Sequence, residues 1–329
     1  MNKKVSISYI AKKAGVSPAT VSRVMNNPDT VSKEKKKKVL RTIKKYDFKP
    51  NLLARDFRLT NSKRILVIVS EVSSPIISSL FKGMEDYADQ LGYSLFISPT
   101  YKDKSKEMNL IKQLENNLFD GVVLFDTSLS NEEIEELNKH YPLIQCSEIV
   151  SANVNSVSIN DEEAAFDAVN YLISKGHKEI GIIGDFNEFT SKNRKKGYLK
   201  ALEHNNLTPN TDYIIYSEYN YEGGKKAAEK VLEYKDNITS LFCANDAIAL
   251  GCVNALKDKK IKIPEDMAVI GFDDTAESLM TSPKISSVKQ PNYQIGATTL
   301  EILIDIIKGN QIRSKRCYLD HELVLREST

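Results

Sequence analysis

The sequence predicts an α/β protein in which a small all-helical N-terminal domain precedes a larger body built on parallel β-sheets. Three observations predict this fold class. The chain has 329 residues, enough for about two domains of ordinary size. Residues 1–64 carry 18 Lys or Arg and four Asp or Glu, whereas the remainder carries 28 and 40. Beyond this basic head, short β-branched runs alternate with amphipathic helical stretches, which is typical of α/β folds.

Composition and cysteine spacing argue against a membrane protein, a disulfide-stabilised protein and a zinc protein. The chain is 41% hydrophobic and 27% charged, and it has neither an apolar run near the roughly 18 residues that span a bilayer nor an apolar N-terminal signal core. We therefore expect a soluble cytoplasmic protein with no membrane partner. The four cysteines form no C-x-x-C pair, which favours reduced thiols over a disulfide framework or a zinc site. A basic head on an acidic body suggests that one end holds a polyanion, although a solvated Lys-rich face is the alternative.

The head reads as two short helices separated by a tight turn. Apolar and small residues recur at helical spacing on both sides of Gly15, where a positive φ is needed. Ser17 followed by Pro18 is a helix start, because the hydroxyl can accept from an otherwise unpaired amide and proline suits the first helical position. The second helix is predicted from Pro18 to about Met25, and the pair forms a helix-turn-helix.

Residues 7–26, with the run Ala-Thr-Val-Ser-Arg, closely resemble the helix-turn-helix of the lactose-repressor/galactose-repressor (LacI/GalR) family of bacterial transcriptional regulators. The resemblance continues through a third helix, from about Lys33 to Tyr46, and through Pro-Asn-x-x-Ala-Arg. It implies a recognition helix in the major groove that reads bases through Pro18, Ala19 and Arg23. The Arg23 fork can bond guanine O6 and N7, whereas the other two offer only apolar contact. The polar side chains suited to phosphates are Ser17, Thr20, Ser22 and Asn26.

A further short helix is expected at about residues 51–58. Asn51 is a competent N-cap after Pro50, and apolar residues follow at helical spacing. The resemblance implies a hinge helix that pairs with its dimer mate in the minor groove and inserts an apolar wedge. Phe57 stands where the family usually has Leu, and Phe is an accepted wedge; packing of Phe57 onto the body is the alternative. The hinge residues expected to contact DNA are Asn51, Ala54, Arg55 and Phe57.

The body after residue 63 alternates strands and helices. Strands are predicted at 65–69, 93–97, 122–125, 143–146, 180–183, 241–243 and 269–271, and helices at 80–90, 105–116, 162–174, 194–204, 221–234 and 247–258. This alternation implies parallel sheets covered on both faces. Two similar doubly wound halves are expected, with a ligand in the crevice outside the carboxyl ends of the strands.

The family resemblance covers the body as well. It is carried by residues 119–121, 176–177, 244–251, 269–274 and 322–328. It implies a periplasmic-binding-protein-like body whose chain crosses between subdomains near Ser158, Val288 and Asp320. The expected division is a DNA-binding domain at 1–58, a linker at 59–63, and an effector-binding and dimerisation domain at 64–329. Its N-subdomain is expected at about 64–158 and 289–320, and its C-subdomain at about 159–288 and 321–329.

The same resemblance implies an effector site. It maps onto Arg194, Asn245, Asp273 and, more loosely, Gln290; guanidinium, amide and carboxylate groups suit the hydroxyls of a polyol. Asp126 and Ser147 end two predicted strands and are secondary candidates. Ile76 lies where the family typically has an aromatic that stacks on a sugar, so this wall is expected to be more apolar. Each residue alone could instead be a surface ion pair or a turn cap.

Catalytic and metal-binding motifs are absent from the sequence. There is no phosphate loop, no second histidine follows His321-Glu322 at the spacing of a zinc protease, and no serine or cysteine sits in a nucleophile elbow. We therefore predict no enzyme, no cofactor and no metal. The predicted function is a ligand-responsive repressor of carbohydrate-utilisation genes that binds a pseudo-palindromic operator as a homodimer and takes a sugar effector. The alternatives are a regulator that responds to a nucleoside or phosphorylated metabolite and, against the evidence of the basic head, a solute-binding protein.

Overall fold

The computed structural model describes residues 6–48, 61–312 and 315–329, with the side chain of Asn26 left out. The predictions for Asn51, Ala54, Arg55 and Phe57 lie outside these residues. The chain divides into two compact units between Ser62 and Lys63.

The described residues of the N-terminal unit form three helices around a small core of their own. The helices are α1 (Ile7–Ala14), α2 (Pro18–Asn26) and α3 (Lys33–Lys45), with a short 3₁₀ turn at Pro28–Thr30. Gly15 ends α1 in the left-handed region, at φ +65°. The Ser17 hydroxyl accepts from the amide of Thr20 at 3.2 Å, and Pro18 takes the first position of α2. The predicted turn and helix start are confirmed. Ile10, Val21 and Val39 are fully buried where the three helices meet.

The second unit contains two six-stranded sheets. Its strands are β1 (Arg64–Val69), β2 (Ser94–Pro99), β3 (Gly121–Leu124), β4 (Leu143–Cys146), β5 (Ser156–Ser158), β6 (Ile180–Gly184), β7 (Ile214–Tyr216), β8 (Ser240–Cys243), β9 (Ala268–Asp273), β10 (Ser286–Lys289), β11 (Arg316–Tyr318) and β12 (Glu322–Val324). The first sheet has the order β11-β5-β4-β3-β1-β2 and the second β12-β10-β9-β8-β6-β7. All neighbours are parallel except β12, which runs antiparallel to β10.

Helices cover both sheets, as expected for parallel strands. They are α4 (Pro75–Leu91), α5 (Lys104–Ile111), α6 (Asn131–Asn138), α7 (Asp161–Ser174), α8 (Phe189–His204), α9 (Tyr221–Glu233), α10 (Asp246–Asp258) and α11 (Asn292–Lys308). The chain passes from the first sheet to the second after β5, returns through α11 to β11, and crosses again to β12. The predicted α/β class with parallel sheets is confirmed. None of the helices in the described part of the chain is long and apolar enough to span a membrane.

The seven predicted strands are present, with ends that differ from the prediction by at most two residues. Two helix starts were predicted too late: α4 begins at Pro75 and α8 at Phe189, each five residues earlier than expected. Proline occupies the first helical position of α4, a start signal placed before the apolar stripe begins. The predicted helix at 105–116 is also shorter, because a 3₁₀ segment replaces it from Lys112 to Asn116.

Close backbone approach fixes α4 against α11 within the first half. A Cβ atom added at Gly83 would lie 2.0 Å from the carbonyl oxygen of Tyr293, and one at Gly296 would lie 2.0 Å from that of Leu80. Only glycine leaves room for this contact. The crossing places the start of α4 and the segment before α11 beside the cavity described next.

Candidate functional site

The second unit holds a cavity of about 740 Å³ between its two halves. The segments that follow β1, β2, β3 and β4 line one side; the other side is lined by the start of α8 and by segments that follow β8, β9 and β10. These are the carboxyl ends of parallel strands, where the loops of α/β sheets leave a crevice for ligands. The seven residues predicted for the effector site all line this cavity: Arg194, Asn245, Asp273, Gln290, Ile76, Asp126 and Ser147.

Three of these residues adopt a backbone conformation that is unusual for a residue with a side chain. Asp126 has φ +54°, Ser147 φ +64° and Asp273 φ +103°. Each lies at or just beyond the end of a strand. Backbone strain of this kind clusters at ligand sites, where the surrounding structure holds the residue in place.

Arg194 is 3% exposed and heavily engaged with the protein. Its Nε donates to Asp161 at 2.8 Å, and its Nη1 donates to the Tyr219 hydroxyl at 2.7 Å and to the carbonyl oxygen of Ala244. The guanidinium carbon stacks 3.5 Å from the centre of the Phe272 ring. The sequence predicted that this guanidinium group would donate to the hydroxyls of a ligand. In the structure Nη2, 3.6 Å from Asp273, is the nitrogen least committed to the protein.

Asp273, Gln290 and Asn245 form the adjacent polar wall. Gln290 Nε2 donates to Asp273 Oδ1 at 2.7 Å. Asn245 Oδ1 accepts from the amide of Ile248 at 2.8 Å and so caps α10, which leaves the amide NH₂ as its group for a ligand. Burial raises the pKa of Asp273 to about 6, and Arg194 acts in the opposite direction. Near neutral pH this carboxyl group is therefore close to its own titration.

The buried carboxyl group of Asp246 accepts hydrogen bonds from the loop after β9 and from β10. Asp246 accepts from the Ser287 hydroxyl at 2.6 Å and from the amide of Thr275 at 2.7 Å. Burial, followed by the charge of Asp273, raises the pKa of Asp246 to about 7. Asp246 therefore helps to position the loop that follows Asp273.

An acidic cluster that spans both sides of the cavity was not predicted from the sequence, although Asp126 was itself a candidate. Asp126, Glu148 and Glu188 each place a carboxylate oxygen within 4.8 Å of the others. Lys102 bridges them: its Nζ lies 2.6 Å from Glu188 and 3.5 Å from Asp126. Burial, then the charges of Asp126 and Glu188, raises the pKa of Glu148 to about 8. Tyr219, also missed, donates its hydroxyl proton to the Ala244 carbonyl at 3.0 Å beside Arg194.

The residues of the head that are predicted to contact DNA extend from the N-cap to the last residue of α2. Ser17, Pro18, Ala19 and Arg23 are exposed, whereas Thr20 and Ser22 are half-buried. The hydroxyls of Ser17 and Thr20 lie 2.9 Å apart and already take part in the helix cap. Asn26 is the last residue of α2. Arg23 is exposed on a helix surface whose neighbouring residues have short side chains. This surface can therefore enter a DNA groove, where Arg23 can reach the base edges.

Comparison with known proteins decides the family. Residues 6–51 match the model of bacterial regulatory proteins of the lacI family, and residues 169–329 match a periplasmic binding protein-like domain. The chain is 35% identical over 329 residues to catabolite control protein A of Priestia megaterium, and the match covers 99% of each chain. It belongs to the LacI family. It is therefore a DNA-binding transcriptional regulator, as the sequence predicted.

Other LacI-family proteins agree with this assignment. The HTH-type transcriptional repressor CytR of Escherichia coli K12 is 32% identical over 323 residues, covering 97% of this chain and 95% of its own. The structure of the transcriptional regulator CelR with cellobiose matches at 25% identity with a TM-score of 0.75, covering 98% of this chain and 99% of its own. The Lac repressor dimer on operator DNA, at 24% identity and a TM-score of 0.88 over 99% of both chains, supports the fold. The named relatives are regulators rather than enzymes.

Proposed function

We propose that this LacI-family protein is a cytoplasmic repressor of carbohydrate-utilisation genes, without enzymatic activity, that binds a pseudo-palindromic operator as a homodimer and responds to a sugar in the cavity. The observation that carries the proposal is the cavity itself, at the carboxyl ends of both parallel sheets, in a chain whose head is a helix-turn-helix. The likeness to a regulator in complex with cellobiose supports a saccharide ligand.

The polar wall suits the hydroxyl groups of a sugar. The Asp273 carboxylate has acceptor capacity beyond its bond from Gln290, and the Asn245 amide can donate. Arg194 joins Asp161, through Nε, and Asp273, through Nη2, in a buried, pre-formed network. These groups are held by the protein before a ligand arrives, so little side-chain entropy is lost on binding. Ile76, Asp126 and Ser147 complete the site from the first half of the unit.

Because the cavity lies between the two halves of the second unit, a bound effector can change how far these halves close. A ligand that contacts both halves binds more tightly to one degree of closure and shifts the population towards it. Coupling of this kind is typically about 1–3 kcal/mol. In the proposed mechanism, closure controls how two heads are presented to the operator and whether the hinge residues Asn51, Ala54, Arg55 and Phe57 order on the minor groove.

At the operator, each head would read sequence through α2. Arg23 contributes base recognition, Pro18 and Ala19 contribute apolar contact, and the polar residues Ser17, Thr20, Ser22 and Asn26 contribute phosphate contacts.

The substitution Asp273→Asn tests the effector site with little risk to the fold. It removes a charge and an acceptor but keeps the size of the side chain, and Asn tolerates positive φ. Removal of Arg194 would instead leave Asp161 and Asp273 as buried, unpaired charges, which is strongly destabilising. We expect D273N to bind operator as the parent does and to lose about ten-fold or more in effector affinity, since a hydrogen bond to a charged group is worth about 1.5–3 kcal/mol.

The measurement is operator binding by fluorescence anisotropy across a titration of a sugar that stabilises the parent protein. Asp258→Asn, on the exposed end of α10 away from the cavity, is the matched control and should behave as the parent. An unchanged effector response in D273N would place the effector elsewhere.

A further inference from the structure

The charged side chains of the cavity are strongly unbalanced. Among the described residues that line it, two are basic, Lys102 and Arg194. Six are acidic: Glu71, Asp126, Glu148, Glu188, Asp273 and Glu277. Such a site repels anions and attracts cations, and its partly enclosed walls strengthen the effect.

Both basic groups are already engaged by the protein. Arg194 donates to Asp161, to Tyr219 and to a backbone carbonyl, and its remaining terminal nitrogen faces Asp273. Lys102 is paired with Glu188 and Asp126. A phosphate or carboxylate group on a ligand would compete with the cavity's own carboxyl groups for these two basic side chains and would lie among like charges.

The acidic cluster of Asp126, Glu148 and Glu188 has one cation for three carboxyl groups. Lys102 reaches Glu188 and Asp126, but Glu148 Oε2 is buried with no hydrogen-bond partner among the described residues. Glu277 Oε2, also at the cavity, is buried and unpartnered in the same sense. Burial and the charges of Asp126 and Glu188 raise the pKa of Glu148, so without a further cation this carboxyl group favours its protonated form at neutral pH. An ammonium group beside it would supply the donor and the positive charge that favour the ionised form.

We propose that this cavity selects an amino-substituted sugar, whose ammonium group binds beside Lys102 against Asp126, Glu148 and Glu188, and that it excludes sugar phosphates and sugar acids. The inference rests on the proposed function and names the ligand class of the same site. The hydroxyl groups of this ligand meet Asp273 and Asn245 on the opposite wall.

An ammonium group bound in this cluster would also favour closure of the two halves of the second unit around the ligand. Asp126 and Glu148 follow β3 and β4 of the first sheet, whereas Glu188 directly precedes α8 in the half that contains the second sheet. A second cation between them joins the two halves by charge-assisted hydrogen bonds, as the Lys102–Glu188 pair already does at 2.6 Å. Binding of an amine therefore favours the closed arrangement more than binding of the matching neutral sugar.

The test compares matched ligands on the full-length protein by isothermal titration at pH 7. Each set contains an amino sugar, its parent sugar, its N-acetyl derivative and its 6-phosphate, in the gluco, galacto and manno series. We expect one amino sugar to bind about 10-fold to 100-fold more tightly than its parent sugar and N-acetyl derivative, because a charge-assisted hydrogen bond is worth about 1.5–3 kcal/mol. No heat of binding is expected from the phosphates.

Substitutions test whether the preference for the amino sugar depends on the acidic cluster. Glu188→Gln and Glu148→Gln should each abolish most of the preference for the amine while leaving affinity for the parent sugar within a few-fold. Glu162→Gln, a surface residue paired with Lys200, is the control and should retain the preference. The operator affinity of each ligand-free variant, measured alongside, shows that the protein is folded.

Four results would overturn the inference: equal or tighter binding of the neutral sugars, binding of a phosphate, a preference for the amine that survives in E188Q and E148Q, and no binding of any amino sugar at millimolar concentration. Stabilisation by Mg²⁺ or Ca²⁺ alone, lost in E188Q, would assign the cluster to a metal and also overturn it. The proposed function fails separately, if no metabolite that binds the cavity changes operator affinity.

Discussion

Glu148 is the residue whose ionisation depends most on its surroundings in the cavity. Burial and the neighbouring Asp126 and Glu188 carboxylates raise its pKa from 4.5 to about 8. The folded protein therefore retains a proton that the unfolded chain releases near pH 4.5. The stability contributed by this proton is fully present below pH 4.5 and is lost as the pH rises towards 8.

Glu148→Gln should weaken this dependence on pH in the ligand-free protein. Glutamine resembles the protonated acid and cannot ionise, so the variant should match the parent near pH 5 and exceed it in melting temperature by several degrees near pH 8.5. Thermal melts at intervals between the two pH values make the comparison, and Glu162→Gln should track the parent throughout. Parallel curves for parent and E148Q would show that Glu148 ionises normally.

The individual residues show where sequence reasoning succeeds at a site. Arg194, Asn245 and Asp273 line the cavity as expected, because family motifs place them next to strand ends. Their partners were not predictable in the same way. Tyr219 reaches Arg194 across 25 residues of chain, and Lys102 reaches Glu188 across 86, so only the folded chain brings these pairs together. No local pattern indicates such contacts.

At the scale of elements, the buried aliphatic strand β1 was predictable and the short polar strand β10 was not. The central strand β1 is almost wholly buried and consists of aliphatic residues after Arg64, a strong signal in any window. In contrast, β10 reads Ser-Ser-Val-Lys; its serines are fully buried, and β9 and β12 pair with it on either side. Strand formation there depends on tertiary context more than on propensity.

The close crossing of α4 and α11 leads to a second prediction. Ile76 lies in α4, Gln290 lies just before α11, and both line the cavity. Gly83→Ala should destabilise the protein by about 1–3 kcal/mol or more, since the added methyl group meets the Tyr293 carbonyl oxygen and the helices must separate. Ser79→Ala, on the exposed face of the same helix, is the control and should change stability by less than about 0.5 kcal/mol. Denaturant unfolding measures both; equal stability of G83A and S79A would contradict the close crossing.

At the scale of the whole molecule, the division of charge and the family architecture point to the same account. The excess of basic residues in residues 1–64 and of acidic residues in the remainder can be counted from the sequence alone. The basic end carries the DNA-reading helix, and the acidic body carries a cavity whose described lining includes six acidic and two basic side chains. The alternation of strands and helices predicted two halves in the body, and the family resemblance predicted the chain crossings between them.

The central claim is that a small molecule bound in the cavity changes the affinity of the head for operator DNA. Its most direct test is a titration of operator duplex with the full-length protein, at fixed salt, with and without a ligand that binds the cavity. We predict a change in operator affinity of about 5-fold to 150-fold, and the loss of preference for operator over random duplex in Arg23→Ala. Identical operator affinity with the cavity empty and saturated would contradict the account.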